Sequence, residues 1–472
     1  MPCAAEAEER EKAVEKIVFD RKCREKILLV FYFVLYLTVA LTIALNQPLN
    51  DTIPSLCNPP DEHSRYKVPL YICNHGTLPT GFEEELFSGE CRWTYGFYTL
   101  LPYMVQGYAM RFVNLFTDSP PALLYTARLV NVALGFGMAV MVLLLGKRLF
   151  RDDRVRWLFC FLVTFLPQSI FLHTYVNADS MCLLSTSLML YGLVRGYGDG
   201  FSVKSCVFLT VGVILCALSY YNAYGFILGS VVLFTACFVK REDGRWQYDW
   251  KAFLRKGIPM AVVVLLCVSW SFIRNYILYD GDIIGLATKE NFVKSFGIVR
   301  ETYYGQGKSL FEMLFQTDFF SKLCDTFIAS YGSTSLYTWR RIYWFYKILF
   351  GVGILSMIIF RSRERKGTQG YGWLRVLFHA VMVFCMVMPL ILLIQYAYMV
   401  DYQAQGRYIL PGVIPFMYYV SRGLEKTPLW RRCPEKGKTF LSAVLLAGIV
   451  LSLLIMVYIS ALPYYPEAQV PG

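Results

Sequence analysis

Charged residues and histidines are scarce in this sequence. Only 17% of its 472 residues are Asp, Glu, Lys or Arg, four are histidine, and 56% are hydrophobic. Its 14 cysteines include no CxxC pair and no Cys/His spacing typical of zinc sites, and most lie in apolar segments, where cysteine acts as a small hydrophobic residue. This composition excludes an ordinary soluble domain and disfavours a zinc-stabilised fold.

The N-terminus has no short apolar core followed by small residues, so we predict no cleavable secretory signal. Residues 1–26 are charged and of mixed sign, and the first long apolar segment is 27–45. We therefore expect the first membrane helix to be retained, with residues 1–26 in the cytoplasm. The sequence also shows no internal repeat, although transporters are often built from repeated halves.

Apolar segments recur along the whole chain, and a crossing of a hydrocarbon core of about 30 Å needs roughly 20 residues. We predict an all-α integral membrane protein with about 11 transmembrane helices. The predicted helices are 27–45, 122–145, 157–172, 181–194, 206–218, 225–239, 258–278, 342–360, 374–399, 408–420 and 440–462. This arrangement places about 31 of the 46 Lys and Arg residues on the cytoplasmic side, as the positive-inside rule requires.

Two long loops, 47–120 and 279–341, then lie outside the cytoplasm within one polytopic domain, 1–472. The aromatic segment 95–116 is predicted to lie in the membrane interface instead of crossing it. Loops of this length are usually functional. One disulfide among Cys57, Cys73 and Cys91 is left open, because an oxidising compartment permits such a bridge without requiring it.

The first outer loop carries adjacent carboxylates, Asp61 and Glu62, followed by His63 and Arg65. Such residues are costly near a bilayer and indicate a functional site. A carboxylate there can act as a general base towards an acceptor hydroxyl, or bind a divalent cation through oxygen. No cofactor is required by the sequence. The alternative is that Asp61 only caps a short helix.

Other polar groups are predicted on the same outer face. Arg274 and Arg407 end predicted helices, and arginine suits multidentate binding of phosphate; Arg407 is the stronger candidate, because Gly406 lets the backbone approach a ligand. Each arginine could instead be an interfacial residue that snorkels. The further substrate-binding candidates, in addition to His63 and Arg65, are Asn177, Asp179, Gln405 and Tyr408. Asn177 and Asp179 could equally serve as turn or cap residues.

These motifs, in this order, resemble bacterial multi-spanning membrane proteins of formerly unknown function that are grouped with the GT-C glycosyltransferases. The resemblance rests on Pro60-Asp61-Glu62 with Tyr66, Asn74-His75-Gly76-Thr77-Leu78-Pro79, Tyr95, Tyr98 and Pro102, Val176-Asn177-Ala178-Asp179, Trp270 with Arg274-Asn275-Tyr276 and Gly281-Asp282, and Gln405-Gly406-Arg407-Tyr408 with Pro411 and Pro415.

The resemblance implies a GT-C-like fold and transfer of a sugar from a polyprenyl-phosphate donor to an envelope glycan, lipid or protein acceptor. It implies Asp61 as base, Glu62 as second carboxylate, and Arg407 with Arg274 on the donor phosphate, in a bacterial inner membrane. The transfer is expected to invert the anomeric centre. An envelope polysaccharide polymerase or ligase, or a lipid-linked sugar flippase, remains the alternative. Nucleic acid is not an expected partner.

Overall fold

The computed structural model describes residues 2–49, 57–89, 94–242, 245–297, 301–360 and 372–465, and most of these are helical. The helices are α1 (Pro2–Asn46), α2 (Glu62–His75), α3 (Leu101–Val113), α4 (Pro120–Leu149), α5 (Asp153–Thr164), α6 (Pro167–Leu172), α7 (Asp179–Asp199), α8 (Val203–Ala217), α9 (Tyr224–Ala236), α10 (Trp250–Leu278), α11 (Leu286–Ser295), α12 (Leu310–Phe315), α13 (Phe319–Ile328), α14 (Arg340–Ile359), α15 (Gly372–Met399), α16 (Val413–Lys426), α17 (Pro428–Arg432) and α18 (Glu435–Leu454). A small antiparallel hairpin pairs β1 (Val239–Glu242) with β2 (Arg245–Tyr248). The predicted all-α class is confirmed.

Six helices within the described ranges are long and apolar enough to cross a membrane. They are Cys23–Asn46, Pro120–Leu149, Trp250–Leu278, Arg340–Ile359, Gly372–Met399 and Glu435–Tyr464. Helices α8 and α9 are apolar but shorter. The segment predicted as helix three is divided between α5 and α6, with a break before Pro167, because proline cannot donate the backbone hydrogen bond that would continue α5. The number of crossings, predicted as eleven, stays a prediction.

The N-terminal charged segment belongs to α1, which begins at Pro2 and runs to Asn46. The absence of proline and glycine from residues 3–46 explains this continuity. Cys73 is a buried free thiol, and the Cys57 thiol donates to the carbonyl of Tyr464 at 2.9 Å. No disulfide therefore joins Cys57 to Cys73, and Cys91 lies outside the described residues.

Glycines allow neighbouring helices to pack closely. A Cβ at Gly192 on α7 would lie 2.7 Å from the backbone nitrogen of Leu209 on α8. On α16, a Cβ at Gly423 would lie 1.7 Å from the carbonyl oxygen of Gly353 on α14. Small residues at such contacts are typical of membrane helices, because they let the backbones approach and gain van der Waals contact.

The segment predicted as the first outer loop contains two short helices, α2 and α3. Gly107 of α3 lies against α2, where its Cβ would be 2.7 Å from that of Ile72, and Arg111 donates to the carbonyl of Cys73 at 2.9 Å. With 13 residues, α3 is shorter than the roughly 20 residues that a crossing needs. A position in the interface remains the prediction for this segment.

The segment predicted as the second outer loop contains α11, α12 and α13. Helix α13 packs against the 3-10 helix Gly406–Gly412, where the N–H of Gly406 donates to Thr326 Oγ1 at 2.8 Å. A Cβ at Gly406 would lie 2.1 Å from the backbone nitrogen of Phe327. The close approach predicted for this glycine is therefore to α13, and it fixes the position of the following residue, Arg407.

Candidate functional site

Asp61 lies at the N-terminus of α2 but does not cap it. Its backbone is left-handed, with φ at 60°, and its side chain makes no capping hydrogen bond. A non-glycine residue in this region carries a cost of order 1 kcal/mol, which surrounding structure must offset. The carboxylate instead reaches Arg407, 346 residues away along the chain, with Oδ2 at 2.6 Å from Nη2.

Arg407 is buried, with 3% of its side chain exposed, whereas the Asp61 side chain is 40% exposed. Its Nη2 also donates to the hydroxyl of Tyr408 at 2.9 Å. Its Nε and Nη1 make no hydrogen bond of good geometry with the described residues, although the Tyr175 hydroxyl lies nearby. Because buried donors without partners are costly, these two nitrogens indicate a place for an anion.

A second buried arginine stands beside Asp61. Arg65, one turn along α2, pairs with Asp179 at 3.0 Å and approaches Asp61 Oδ2 at 3.9 Å. Its guanidinium lies over the ring of Tyr95, 4.9 Å from the centroid, and its Nε is unpartnered within the described part of the chain. The sequence-predicted residues Asp61, Arg65, Asp179, Arg407 and Tyr408 thus form one group, which we call the Asp61 cluster.

The two arginines control the charge of Asp61. Desolvation of the carboxylate within the site would by itself raise the pKa of Asp61. The positive charges of Arg407 and Arg65, with hydrogen bonds from Arg407 and Tyr95, outweigh this effect and hold the pKa at about 2. Asp61 is therefore a carboxylate at neutral pH. Two guanidinium groups next to one carboxylate form surroundings that favour an anionic ligand over a metal cation.

Glu62 has different surroundings from its neighbour. It is fully buried, and its carboxylate accepts two hydrogen bonds from Arg128, at 2.6 and 2.9 Å, and one from the N–H of Val176 at 2.8 Å. Arg128 also donates to the carbonyls of Ala44 and Gln47. Through Arg128 and Val176, Glu62 therefore ties the start of α2, next to Asp61, to the end of α1, to α4 and to the loop before α7.

Arg128 was not among the sequence-predicted site residues. The signal for it is an arginine inside the apolar helix Pro120–Leu149, since an ionisable residue within a membrane span indicates a partner or a function. Asn131, one turn further, extends the same polar region: it accepts a hydrogen bond from Gln106 at 2.9 Å and donates to the carbonyl of Tyr175.

Asn177 shapes the loop that carries Asp179. Its side chain donates to the carbonyls of Leu172 and Tyr175, at 2.7 and 2.8 Å, and accepts from the N–H of Ser180 at 3.0 Å. All of these contacts are local, which matches the turn role that the sequence left open. Asp179, by contrast, belongs to the Asp61 cluster through Arg65.

Aromatic side chains surround the cluster. Tyr95 and Tyr98 stack with ring centroids 5.2 Å apart, and Lys289 of α11 donates to the hydroxyl of Tyr98. Burial raises the pKa of both phenols, so they stay neutral. Aromatic faces with hydroxyls are suited to an amphipathic ligand. Tyr103, Tyr175 and Tyr220 also lie near the cluster, because its charged side chains act on the pKa of each of these phenols.

The remaining predicted residues lie at the edge of this arrangement or apart from it. Arg274 donates to the carbonyl of Pro79 at 2.6 Å, and no ion pair joins it to the cluster among the described residues. Its predicted contact with a donor phosphate stays a prediction. Gln405 has a buried Oε1 without a described partner, and His63 is half-buried in the first turn of α2.

The side chains near Asp61 offer few ligands for a metal ion. The described ranges contain no group of three or more His, Cys, Asp or Glu residues placed to hold a metal ion. Of the nearby carboxylates, Glu62 and Asp179 are already paired with arginines. A divalent cation at Asp61 would displace or approach two positive charges, so the residues present do not fit such an ion well.

Comparisons with known proteins identify the family and the fold. The model of the family described as "Predicted membrane protein (DUF2142)" matches residues 86–417, a range that includes Arg128, Asp179 and Arg407 but not Asp61. No curated protein matches the sequence.

The structure is similar to that of ArnT from Cupriavidus metallidurans bound to undecaprenyl phosphate. The TM-score is 0.52 at 11% sequence identity, over 93% of this chain and 76% of that one. The oligosaccharyltransferase of Archaeoglobus fulgidus tethered with an acceptor peptide gives a TM-score of 0.47 at 14% identity, over 94% of this chain and 56% of that one.

The archaeal oligosaccharyltransferase AglB from A. fulgidus in complex with an inhibitory peptide and a dolichol-phosphate gives a TM-score of 0.47 at 13% identity, with the same coverage. The chain thus spans little more than half the length of these archaeal proteins. It belongs to the DUF2142 family of membrane proteins and has a GT-C-like fold.

Proposed function

We propose that this protein is a GT-C-type glycosyltransferase that moves a sugar from a polyprenyl-phosphate donor to an envelope glycan, lipid or protein acceptor. The reaction takes place on the outer face of a bacterial cytoplasmic membrane. The observation that carries the proposal is the pair of Arg407 and Asp61: a buried guanidinium with two unpartnered nitrogens, joined to a carboxylate that is exposed. The fold shared with ArnT, which binds undecaprenyl phosphate, supports the choice of donor.

The donor phosphate binds at Arg407. The unpartnered Nε and Nη1 supply charge-assisted hydrogen bonds, which are stronger than neutral ones, and the free Nε of Arg65 adds another donor. The sugar then lies among the tyrosines of the site, whose hydroxyls and ring faces suit a carbohydrate. The polyprenyl tail extends between helices into the bilayer.

Asp61 acts as the general base of one displacement step. The acceptor hydroxyl oxygen attacks the anomeric carbon, the bond from that carbon to the phosphate oxygen breaks, and the polyprenyl phosphate leaves with the electron pair. The hydroxyl proton passes to the Asp61 carboxylate. A single displacement of this kind inverts the anomeric centre.

Donor binding makes Asp61 a better base. In the structure its pKa is at about 2 because of the neighbouring arginines. A phosphate that shares the Arg407 guanidinium brings negative charge close to Asp61, and a like charge raises the pKa of a carboxyl group. The proton affinity of Asp61 therefore increases once the donor is in place.

The test compares wild type with Asp61→Asn, each purified in lipid and incubated with radiolabelled polyprenyl-phosphate sugars and envelope acceptors. Transfer should fall by about 10²- to 10⁴-fold, the usual contribution of a general base. Donor binding should be retained, because asparagine no longer competes for Arg407. Asp118→Asn, at an exposed position of the same outer segment, is the matched control and should transfer normally.

Near-normal transfer by Asp61→Asn would remove Asp61 as the base. Translocation of the carrier without transfer, equal in wild type and variant, would favour a flippase.

A further inference from the structure

A polar cavity with a volume of about 250 Å³ lies at the start of α14. Its walls come from α13, from Thr338 and from the first two turns of α14. None of the residues that line it belongs to the Asp61 cluster. The cavity is therefore a separate place at which a ligand could be held.

The charges in the cavity favour an anion. Lys347 and Asp325 pair at 2.6 Å and neutralise each other. Arg340 also lines the cavity and makes no ion pair with any residue in the described ranges. The lining therefore carries one uncompensated positive charge, on a guanidinium group whose geometry suits phosphate.

The cavity continues into an apolar surface. Trp344 lines it and is 53% exposed; Ile348, Val352 and Leu355 follow on the same face of α14 and are 60%, 43% and 58% exposed. This face belongs to a helix that is long and apolar enough to span a membrane. A tryptophan between a charged group and an apolar face is typical of a membrane interface.

We propose that this cavity binds the anionic phosphate headgroup of a membrane lipid, with Arg340 on the phosphate and the acyl or prenyl chain along Ile348, Val352 and Leu355. A free anion would use the charge but not the apolar face, whereas a lipid uses both. The shared chemistry is a phosphate on a hydrocarbon chain, supplied by an anionic phospholipid or by a polyprenyl phosphate.

Lipid bound here contacts the helix that positions Arg407. Asp325, in the cavity wall, precedes Thr326, whose hydroxyl accepts the N–H of Gly406. A headgroup bound in the cavity therefore contacts α13 next to the residue that holds the 3-10 helix. Lipid occupancy is thereby linked to the geometry of Arg407.

The test measures binding of four soluble probes to the full-length protein in a neutral detergent by isothermal titration calorimetry. The probes are dioctanoyl phosphatidylglycerol, dioctanoyl phosphatidylcholine, farnesyl phosphate and inorganic phosphate. Arg340→Gln should weaken binding of an anionic lipid probe by about tenfold or more, as expected for loss of a charge-assisted hydrogen bond. Arg341→Gln removes the same charge from the adjacent exposed residue, which does not line the cavity, and should stay within about twofold of wild type.

Dependence of phosphatidylglycerol binding on Arg340 would identify a bulk phospholipid, and dependence of farnesyl phosphate binding alone would identify the polyprenyl carrier. Equal effects of the two substitutions, equal binding of phosphatidylcholine, or inorganic phosphate binding as tightly as the lipids would each overturn the proposal. The readout is binding, so its failure leaves the transfer reaction at Asp61 untouched.

Discussion

Individual side chains in this protein differ sharply in surroundings even when they are neighbours of the same type. Asp61 and Glu62 are adjacent carboxylates, yet one is 40% exposed and the other fully buried. The left-handed backbone at Asp61 turns its side chain towards Arg407, while Glu62 begins α2 and faces Arg128. The first carboxylate is therefore open to a ligand, whereas the second is held in a buried ion pair with Arg128.

Arg407→Ala should weaken binding of the polyprenyl-phosphate donor by about 2 to 5 kcal/mol, the range for loss of a buried charge partner. Arg407→Lys should recover only part of this affinity, because a single ammonium cannot reproduce the planar set of donors. Equilibrium binding of a radiolabelled donor measures both. Arg341→Ala removes an exposed arginine elsewhere and serves as the control. A donor affinity that is unchanged in Arg407→Ala would contradict the assignment.

The position of the 3-10 helix Gly406–Gly412 depends on the helices that pack against it. The 3-10 helix Gly406–Gly412 replaces the first turns of the helix predicted at 408–420, and its glycine allows contact with α13. Pro411 and the neighbouring Pro415 explain why a regular helix begins only at Val413, since proline is tolerated in the first turn but disrupts a helix interior.

Gly406→Ala should destabilise the protein by about 1 to 3 kcal/mol, the usual cost of overpacking. A Cβ there would lie 2.1 Å from a backbone nitrogen of α13, so the backbones must move apart and Arg407 must move with them. Thermal unfolding in detergent measures the loss of stability, and donor binding should weaken in parallel. Gly198→Ala, where a Cβ meets nothing within 4 Å, should change little; an equal effect at both sites would argue against close packing at Gly406.

Part of this organisation could be predicted from the sequence and part could not. Asp61, Arg407 and Asp179 were recognisable because polar residues between apolar segments stand out locally. The pairing of Glu62 with Arg128 was missed, because it joins residues 66 positions apart and Arg128 lies inside an apolar span. The breaks in the shorter helices were missed because hydropathy does not register where a proline interrupts the hydrogen bonds of a helix.

For the protein as a whole, acid stability should depend on Asp61. Its pKa is about 2 in the folded protein, below the ordinary value of 3.8. The ionised carboxylate therefore adds stability that is fully present above the ordinary pKa and is lost as the pH falls through about 2. The difference in unfolding temperature between wild type and Asp61→Asn should shrink as the pH is lowered across this range. A difference that stays constant would show that the pairing with Arg407 does not lower the pKa.

The predicted orientation can be tested with the same chain in a bacterial host. A fusion of alkaline phosphatase, which is active only outside the cytoplasm, should be active after residue 118 and after residue 335 and inactive after residue 200. These positions lie in the two outer segments and in one cytoplasmic turn of the predicted topology. Activity after residue 200 would place that turn outside the cytoplasm and require an even number of crossings between residues 118 and 200 instead of the three predicted.

Composition and local pattern were enough to identify a helical membrane protein, because solvation of a helix by lipid depends on residues that are neighbours in sequence. Which arginine faces Asp61 was settled by packing. The sequence offers both Arg274 and Arg407 as phosphate-binding candidates, but of these two only Arg407 pairs with Asp61, across 346 residues and through contacts of α13 and the 3-10 helix. Such a pairing depends on the positions of many helices at once, and local periodicity carries no information about it.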